Sequence, residues 1–316
     1  VKLRIAILAA FAGLALSAGT ARADTVLNIL TGGTSGVYYP LGMALSKILP
    51  ASLPGTKVQV QATKASVENL NLLQAGNGDI AFSLGDTLSA AWSGDDNAGF
   101  PRKLDKLRGI AALYPNYIQI VAARDSGIRT LADLKGKRVS VGAPKSGTEL
   151  NSRKVFAAAG LTYQQLGKVE YLPFSESVER IKTHQLDATL QSAGLGVASI
   201  RDLSNSAPMT VVSVPAEVVA RIGDTAYLAA TIPAGTYEGQ ETPVPTVAII
   251  NYLVTTSDVS DDLVYQMTRQ VFENRDALVS AHAAASEIRL EDATRGMPIP
   301  LHPGAERYLR EKGVVK

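Results

Sequence analysis

An α/β fold of two lobes, each a mostly parallel sheet flanked by helices with a ligand cleft between them, is what this sequence predicts. Three observations carry it. Short apolar runs alternate with helix-period segments from residue 24 onward, the pattern of parallel strands joined by covering helices. Each half of the chain opens with a glycine-rich turn lying directly between a strand and a helix, at 31–40 and again at 141–149. A length of 316 residues favours two domains, at roughly 150 residues each.

The first 23 residues read as a removable export signal. Lys2 and Arg4 precede an apolar run from Ile5 to Leu16, and Ala21-Arg22-Ala23 supplies a small-residue cleavage site before Asp24. That run is short of the ~20 residues a spanning helix needs, so cleavage after Ala23 and a periplasmic protein are expected. Next come a strand at 26–30, a helix at 40–49 opened by Pro40, and a strand at 57–62. Ser66 is placed to cap a helix carrying Leu70, Leu72 and Leu73 that stops near Gly76, and 79–83 completes a βαβαβ run. The second lobe reads as strand 118–123, a short helix at 131–134, strand 138–141 and a helix at 149–159 closed by Gly160. Strand 168–172, helix 177–183, strand 188–191, helix 197–203 and strand 210–214 repeat the unit. A Pro-, Gly- and Thr-rich stretch at 232–241 precedes a long strand at 246–254, and helices at 261–272 and 306–311 form a cap folded back on the first lobe. The resulting division is 24–115 for the first segment of lobe 1, 116–226 for lobe 2, and 227–316 for the hinge return and completion of lobe 1.

Composition narrows the function. Lys and Arg total 31 and Asp and Glu 29, and three of the basic residues lie in the leader. The remainder is near neutral and lacks charge blocks, which argues against nucleic acid or a polybasic membrane contact. The absence of cysteine removes disulfides, thiolate nucleophiles and Cys-ligated metals. His184, His282 and His302 show no metal-ligand spacing, and neither a G-x-S-x-G elbow nor an S-x-x-K pair occurs. No catalytic residue, metal or cofactor is therefore expected, and the protein is read as a non-enzyme.

The two turns carry the chemistry. Thr31-Gly32-Gly33-Thr34-Ser35-Gly36-Val37-Tyr38-Tyr39-Pro40 sets glycines and hydroxyls beside the free amides of a helix start, a ready anion site, although it is no dinucleotide or P-loop fingerprint. Val141-Gly142-Ala143-Pro144-Lys145-Ser146-Gly147-Thr148-Glu149 repeats the arrangement, with Glu149 read as a capping residue. Ligand-binding candidates are Gly33, Thr34, Ser35, Gly36 and Tyr39 in the first turn, and Ser146, Gly147 and Thr148 in the second. Strand ends facing the expected cleft add Ser66, Ser83, Asp86, Tyr114, Gln191, Ser192 and Gly194, with Gln119 also considered. Changing Ser146 and Thr148 together to alanine is expected to remove ligand bonds and leave the ligand-free fold nearly unaltered.

In combination, TGGTSGVYYPLG at 31–42, Leu113-Tyr114-Pro115 leading into IQIV, DLKGKRVSVGAPKSGTE at 133–149, ATIPAGTY at 230–237 and IPLHPGAERYLREKG at 299–313 resemble the solute-binding subunits of the TAXI branch of TRAP transporters. The resemblance runs over essentially all of the chain after the leader. It implies a type II periplasmic binding protein fold, a monomer, that closes on a small organic acid or amino acid and delivers it to a separate TRAP-type membrane permease. The implied ligands are a C4–C5 dicarboxylate, a 2-oxo acid, or glutamate or glutamine, held by Gly33 to Gly36, Tyr39, Ser146, Gly147 and Thr148. Lys145 stands where many members carry glycine, which would place a charge at the cleft rim, and Gly196 stands where proline is common. An ABC-importer-type binding protein for an oxyanion or sulfonate, or a ligand-presenting partner of a sensor, are the alternatives on the same fold.

Overall fold

The computed structural model describes residues 25–316, so the export-signal reading lies outside the described residues. In chain order the elements are β1 (Thr25–Leu30), α1 (Tyr38–Ile48), β2 (Thr56–Gln61), α2 (Ser66–Gln74), β3 (Ile80–Leu84), α3 (Gly85–Ser93) and β4 (Leu107–Ala123). Then follow β5 (Arg138–Ser140), α4 (Gly147–Ala158), β6 (Lys168–Glu170), α5 (Phe174–Lys182), β7 (Ala188–Ala193), α6 (Ala198–Ser206), β8 (Met209–Val212), α7 (Ala216–Ile222) and β9 (Leu228–Ile232). The chain ends with β10 (Val244–Thr256), α8 (Asp261–Glu273), α9 (Arg275–Ala281) and α10 (Pro303–Glu311). No helix among the described residues is long and apolar enough to cross a membrane.

The described strands form one sheet in the order β2-β1-β3-β10-β4-β7-β5-β6, with β8 on β4 and β9 on β10. Parallel pairing holds β1 to β2 and β3, and β5 to β6 and β7, as the βαβ pattern predicts. The centre departs from that expectation. β4 and β10 are antiparallel to each other and to their neighbours, so the sheet is mixed. The physical reason is connectivity: a chain that passes from one lobe to the other and back does so most directly as an antiparallel pair.

β4 runs for 17 residues, about 56 Å at ~3.3 Å per residue, enough to belong to both lobes. Its first half pairs with the end of β10 (Val254 opposite Gly109) beside β3, and its second half pairs with β7 (Ile118 opposite Ser192). The sequence reading recovers only 118–123 of this strand, because Gly109, Pro115 and Asn116 argue against a central strand. Pro115 is accommodated where β10 shifts register between Ile250 and Tyr252. At that irregularity the fully buried Asn251 donates through Nδ2 to the Tyr114 carbonyl (2.8 Å) and Asn116 Oδ1 (2.8 Å), and accepts from the Tyr38 hydroxyl at 2.5 Å.

Apolar faces lock the helices on. Leu41 and Leu45 of α1 join Leu27 and Ile29 of β1, and Val264, Met267 and Val271 of α8 with Tyr308 and Leu309 of α10 share the same buried cluster. Val139, Val155, Phe156, Leu190 and Val212 fill the opposite face of the second lobe. Helix starts depart from the expected bounds by up to three residues, α1 beginning at Tyr38 rather than at Pro40 and α10 at Pro303 rather than at 306. Ser66 is the first residue of α2, not its cap: Ala65 precedes it at φ 73°, and the Ser66 hydroxyl accepts from the Leu84 amide (3.2 Å), tying α2 to the end of β3. His302 caps α10, its Nδ1 accepting from the Gly304 amide (3.1 Å) while Nε2 donates to the Val259 carbonyl (2.9 Å).

Burial holds the His302 pKa below its usual value near 6.5, the Val259 carbonyl acting the other way. The folded chain thus binds fewer protons here than the unfolded one, so the stability this residue contributes is complete above about pH 6.5 and declines as pH falls through the folded-state value. Urea unfolding at pH 7.5 and pH 5 should show a smaller difference in His302→Asn, which keeps a cap without titrating; an unaltered difference refutes this account. Asn251→Ala strands a buried carbonyl and two polar side chains and is expected to cost about 2–4 kcal/mol, measured by the same titration.

Candidate ligand-binding site

The two glycine-rich turns converge from opposite lobes on one cavity of about 130 Å³. Gly33, Ser35 and Gly36 of the loop after β1 form one wall, and Ser146, Gly147 and Thr148 at the start of α4 form another. Tyr114 and Asn116 of β4, Ser192 of β7, Phe174 at the head of α5 and the turn Lys64-Ala65-Ser66 complete it.

Both helices present their starts to this space. Val37 precedes α1 and offers no capping side chain, so the protein leaves the first-turn amides of α1 without a cap of their own. The Gly36 amide is already committed, closing a tight turn on the Gly33 carbonyl (3.0 Å). At α4 the Ser146 hydroxyl accepts from the Glu149 amide (3.1 Å), so this cap does not occupy the amides of Gly147 and Thr148, two residues that line the cavity. Gly147 is required for the approach of the lobes: a Cβ there would come within 2.7 Å of Leu84 Cδ1 and 2.8 Å of Ser66 Oγ. Partial positive charge from two helix starts favours an anion. Lys64 is the charged side chain on the wall, no carboxylate lines it, and Val37, Leu84, Phe174 and Ala193 make the rest apolar. Among the described residues no group of three or more His, Asp or Glu is placed to hold a metal ion.

Of the residues singled out in the sequence, Gly33, Ser35, Gly36, Ser66, Tyr114, Ser146, Gly147, Thr148 and Ser192 lie on the wall. Thr34 and Tyr39 do not; they line an adjoining groove of about 1070 Å³ that shares Gly36 with the cavity. Successive helix residues point ~100° apart, so Tyr38 turns inward to stack on Phe82 (centroids 5.1 Å) and Tyr39 turns away. Ser83 and Gln191 are off the wall because strand side chains alternate. Their neighbours Leu84 and Ser192 face the cavity, while the Ser83 hydroxyl donates to the Leu84 carbonyl (3.1 Å) and Gln191 Oε1 accepts from Ser199 (2.6 Å). Gly194 sits behind Tyr114, where a Cβ would lie 3.4 Å from its ring and 2.7 Å from Ala284. Gln119 is likewise internal, its amide donating to the Ala193 carbonyl (2.9 Å) and its oxygen accepting from Tyr237.

Asp86 has a different place from the one expected. Its buried carboxylate joins the lobes, accepting from Tyr227 (2.6 Å) and from Asn151 of α4 (2.9 Å), as well as from the Thr87 amide (2.7 Å). Burial pushes its pKa above the ordinary carboxylate range, against the Tyr227 hydrogen bond and the Lys154 charge. Glu149 is paired with Arg153 (2.7 Å) and takes no part in the wall. Lys145 is exposed and off the wall, at φ 61°, a left-handed backbone that explains why glycine suits the position. Its carbonyl accepts from Glu68 (3.2 Å) across the lobes. Gly196 has φ 73°, which proline cannot adopt, so its loop differs from the proline-bearing form. Lys64, Ala65, Asn116 and Phe174 carry no sequence signal of their role. Ala65 is held at positive φ while its amide donates to Thr63 Oγ1 (2.9 Å), and only the folded turn brings Lys64 to the wall.

Residues 29–313 match the profile of the NMT1-like family. Among solved structures, a protein from Bordetella bronchiseptica RB50 superposes with TM-score 0.56 at 13% identity, covering 92% of this chain and 98% of that one. The binding protein component of an ABC phosphonate transporter from Pseudomonas aeruginosa gives TM-score 0.53 at 13% identity, over 83% of this chain and 79% of that one. A putative L-cystine ABC transporter protein from Listeria monocytogenes gives 0.51 at 14% identity, over 84% and 98%. The architecture is thus the α/β two-lobed periplasmic binding protein fold, with a mixed sheet flanked by helices.

Because the Ser146 hydroxyl caps α4, the structure argues against the expectation that changing Ser146 and Thr148 together to alanine leaves the ligand-free fold nearly unaltered. Ser146→Ala should lower unfolding free energy by about 1 kcal/mol, whereas Thr148→Val, whose hydroxyl has no partner among the described residues, should leave it within ~0.5 kcal/mol. Urea titration of the two single variants separates them, and equal losses contradict the capping role.

Proposed function

The chain belongs to the NMT1-like family, and from that premise we propose that it is a periplasmic solute-binding protein that closes its lobes on a small solute bearing one oxyanion and passes it to an ABC-type importer. One observation carries this reading: two uncapped or partly capped helix starts, one per lobe, meet in a single cavity that holds a lysine and no carboxylate. Hydrogen bonds to a charged group contribute about 1.5–3 kcal/mol each, and micromolar binding needs about 8 kcal/mol, so donors from both lobes have to act together. Closure supplies that convergence.

The cavity favours a sulfonate, phosphonate or monocarboxylate over the C4–C5 dicarboxylates and glutamate implied by the TAXI resemblance. A second buried charge needs a second partner, and beyond the helix starts the wall is apolar, with Lys64 at its exposed side and no arginine. A volume of about 130 Å³, a little below the ~150 Å³ of an engineered cavity that holds benzene, suits a solute of roughly six non-hydrogen atoms. The ABC-type importer is preferred because the phosphonate and cystine proteins that share the fold are described as ABC components. A TRAP-type permease, supported by the motif resemblance, is the competing partner.

Thermal-shift and calorimetric titration of the purified protein with ethanesulfonate, methylphosphonate, propionate and succinate tests the reading. A saturating monoanion at 100-fold over its Kd should add about 2.7 kcal/mol of stability. Preferential binding of succinate refutes the single-oxyanion preference, and a folded protein indifferent to all four refutes the anion site.

A further inference from the structure

Two hydroxyls on the cavity wall stand apart from the helix-start donors. Tyr114 comes from β4 and Ser192 from β7, strands rather than loops, and the two residues are 1% and 5% exposed. Both line the cavity, and neither hydroxyl meets a hydrogen-bond partner among the described residues.

Their surroundings are otherwise satisfied. Tyr38 donates to Asn251, Asn251 donates to Asn116 Oδ1 (2.8 Å), and the Asn116 amide donates to the Ser192 carbonyl (2.9 Å). Gln119 donates to the Ala193 carbonyl (2.9 Å). The Asn251, Asn116 and Gln119 side chains are thus committed to one another, to Tyr38 and to backbone carbonyls, and the Tyr114 and Ser192 hydroxyls are left over. Buried polar groups are ordinarily paired, and phenylalanine and alanine would fill the same volumes without an unpaired group. The Tyr114 ring packs against Gly194, and Asn251 holds the Tyr114 carbonyl (2.8 Å). Lys64, an exposed residue, is the one charged residue on the wall, and no arginine or carboxylate lines it. Burial keeps the Tyr114 phenol protonated, so both hydroxyls can donate and accept.

Resting on the oxyanion reading above, we propose that Tyr114 and Ser192 form a neutral polar subsite that receives an uncharged oxygen, a hydroxyl or carbonyl, of the same solute whose oxyanion lies at the helix starts. The substrate class is then a short hydroxy- or oxo-substituted sulfonate, phosphonate or carboxylate. Unsubstituted acids leave the two hydroxyls unpaired, and dianions would set a charge against a subsite that has no cation. Sites built to hydrogen-bond a substrate oxygen discriminate against analogues lacking it, because their own buried groups are then left bare.

Titrating the full protein with 2-hydroxyethanesulfonate against ethanesulfonate, and with lactate against propionate, measures the subsite directly. In whichever series binds, the hydroxylated member should bind at least ~10-fold more tightly. Tyr114→Phe should shrink that ratio to within ~3-fold by weakening the hydroxylated ligand alone, and Ser192→Ala should shrink it in the same direction. A merely structural role for Tyr114 would weaken both members equally and leave the ratio intact. Equal binding of the two members by the unaltered protein, or a ratio preserved in both variants, overturns the subsite while leaving the oxyanion site standing. Failure of all four anions to bind overturns the oxyanion reading and the subsite with it.

Discussion

The hydrogen bonds of Asn251 are the constraint on which the rest of the structure depends. They sit where the two long strands pass between the lobes and their register slips by one position. A slip of this kind leaves backbone groups without ladder partners, and an unpaired group at full burial is costly. One amide side chain resolves this by bonding the Tyr114 carbonyl and Asn116 Oδ1 while accepting from Tyr38. All three partners are cavity residues. The irregularity that lets β4 and β10 serve both lobes therefore also sets the orientation of the strand-borne part of the site.

Around that centre, the cavity wall is built of groups the fold consumes and groups it leaves over. Ser146 caps α4 and Thr63 supports the Ala65 turn, whereas the start of α1 has no cap and the Tyr114 and Ser192 hydroxyls have no partner. Asp86 belongs to the first group. A carboxylate on the wall would repel an oxyanion, and its burial between Tyr227 and Asn151 removes it from the cavity while linking α3 to α4. Lys64 adds the one positive side chain at the exposed side of the wall, where water screening keeps its influence modest.

The sequence reading succeeded where the signal is local. Strand–turn–helix punctuation located β1 with α1 and β5 with α4, and the glycines and hydroxyls of those turns pointed to Gly33, Ser35, Gly36, Ser146, Gly147 and Thr148, all on the cavity wall. It erred where side-chain direction is decided at a distance. Ser83 and Gln191 are one residue away from Leu84 and Ser192, and the period of two that sends them to the opposite face has no phase until the sheet is assembled. The long strand β4 was cut short because Pro115 is a strand breaker except at an irregularity, and that irregularity is created by β10, more than a hundred residues later.

By itself, then, the sequence determined the class of fold, the alternation of its elements, the absence of thiol chemistry and the two turns that carry helix-start donors, because periodicity, glycine placement and composition are properties of neighbouring residues. Only the tertiary structure decided that the two turns share one cavity, that Asp86 ties the lobes together, that Lys64 and not Lys145 reaches the wall, and that Tyr114 and Ser192 have hydroxyls left over. Those outcomes depend on which groups from distant segments meet and which hydrogen bonds are already spent when they do, and long-range pairing of that kind leaves no local trace in the chain.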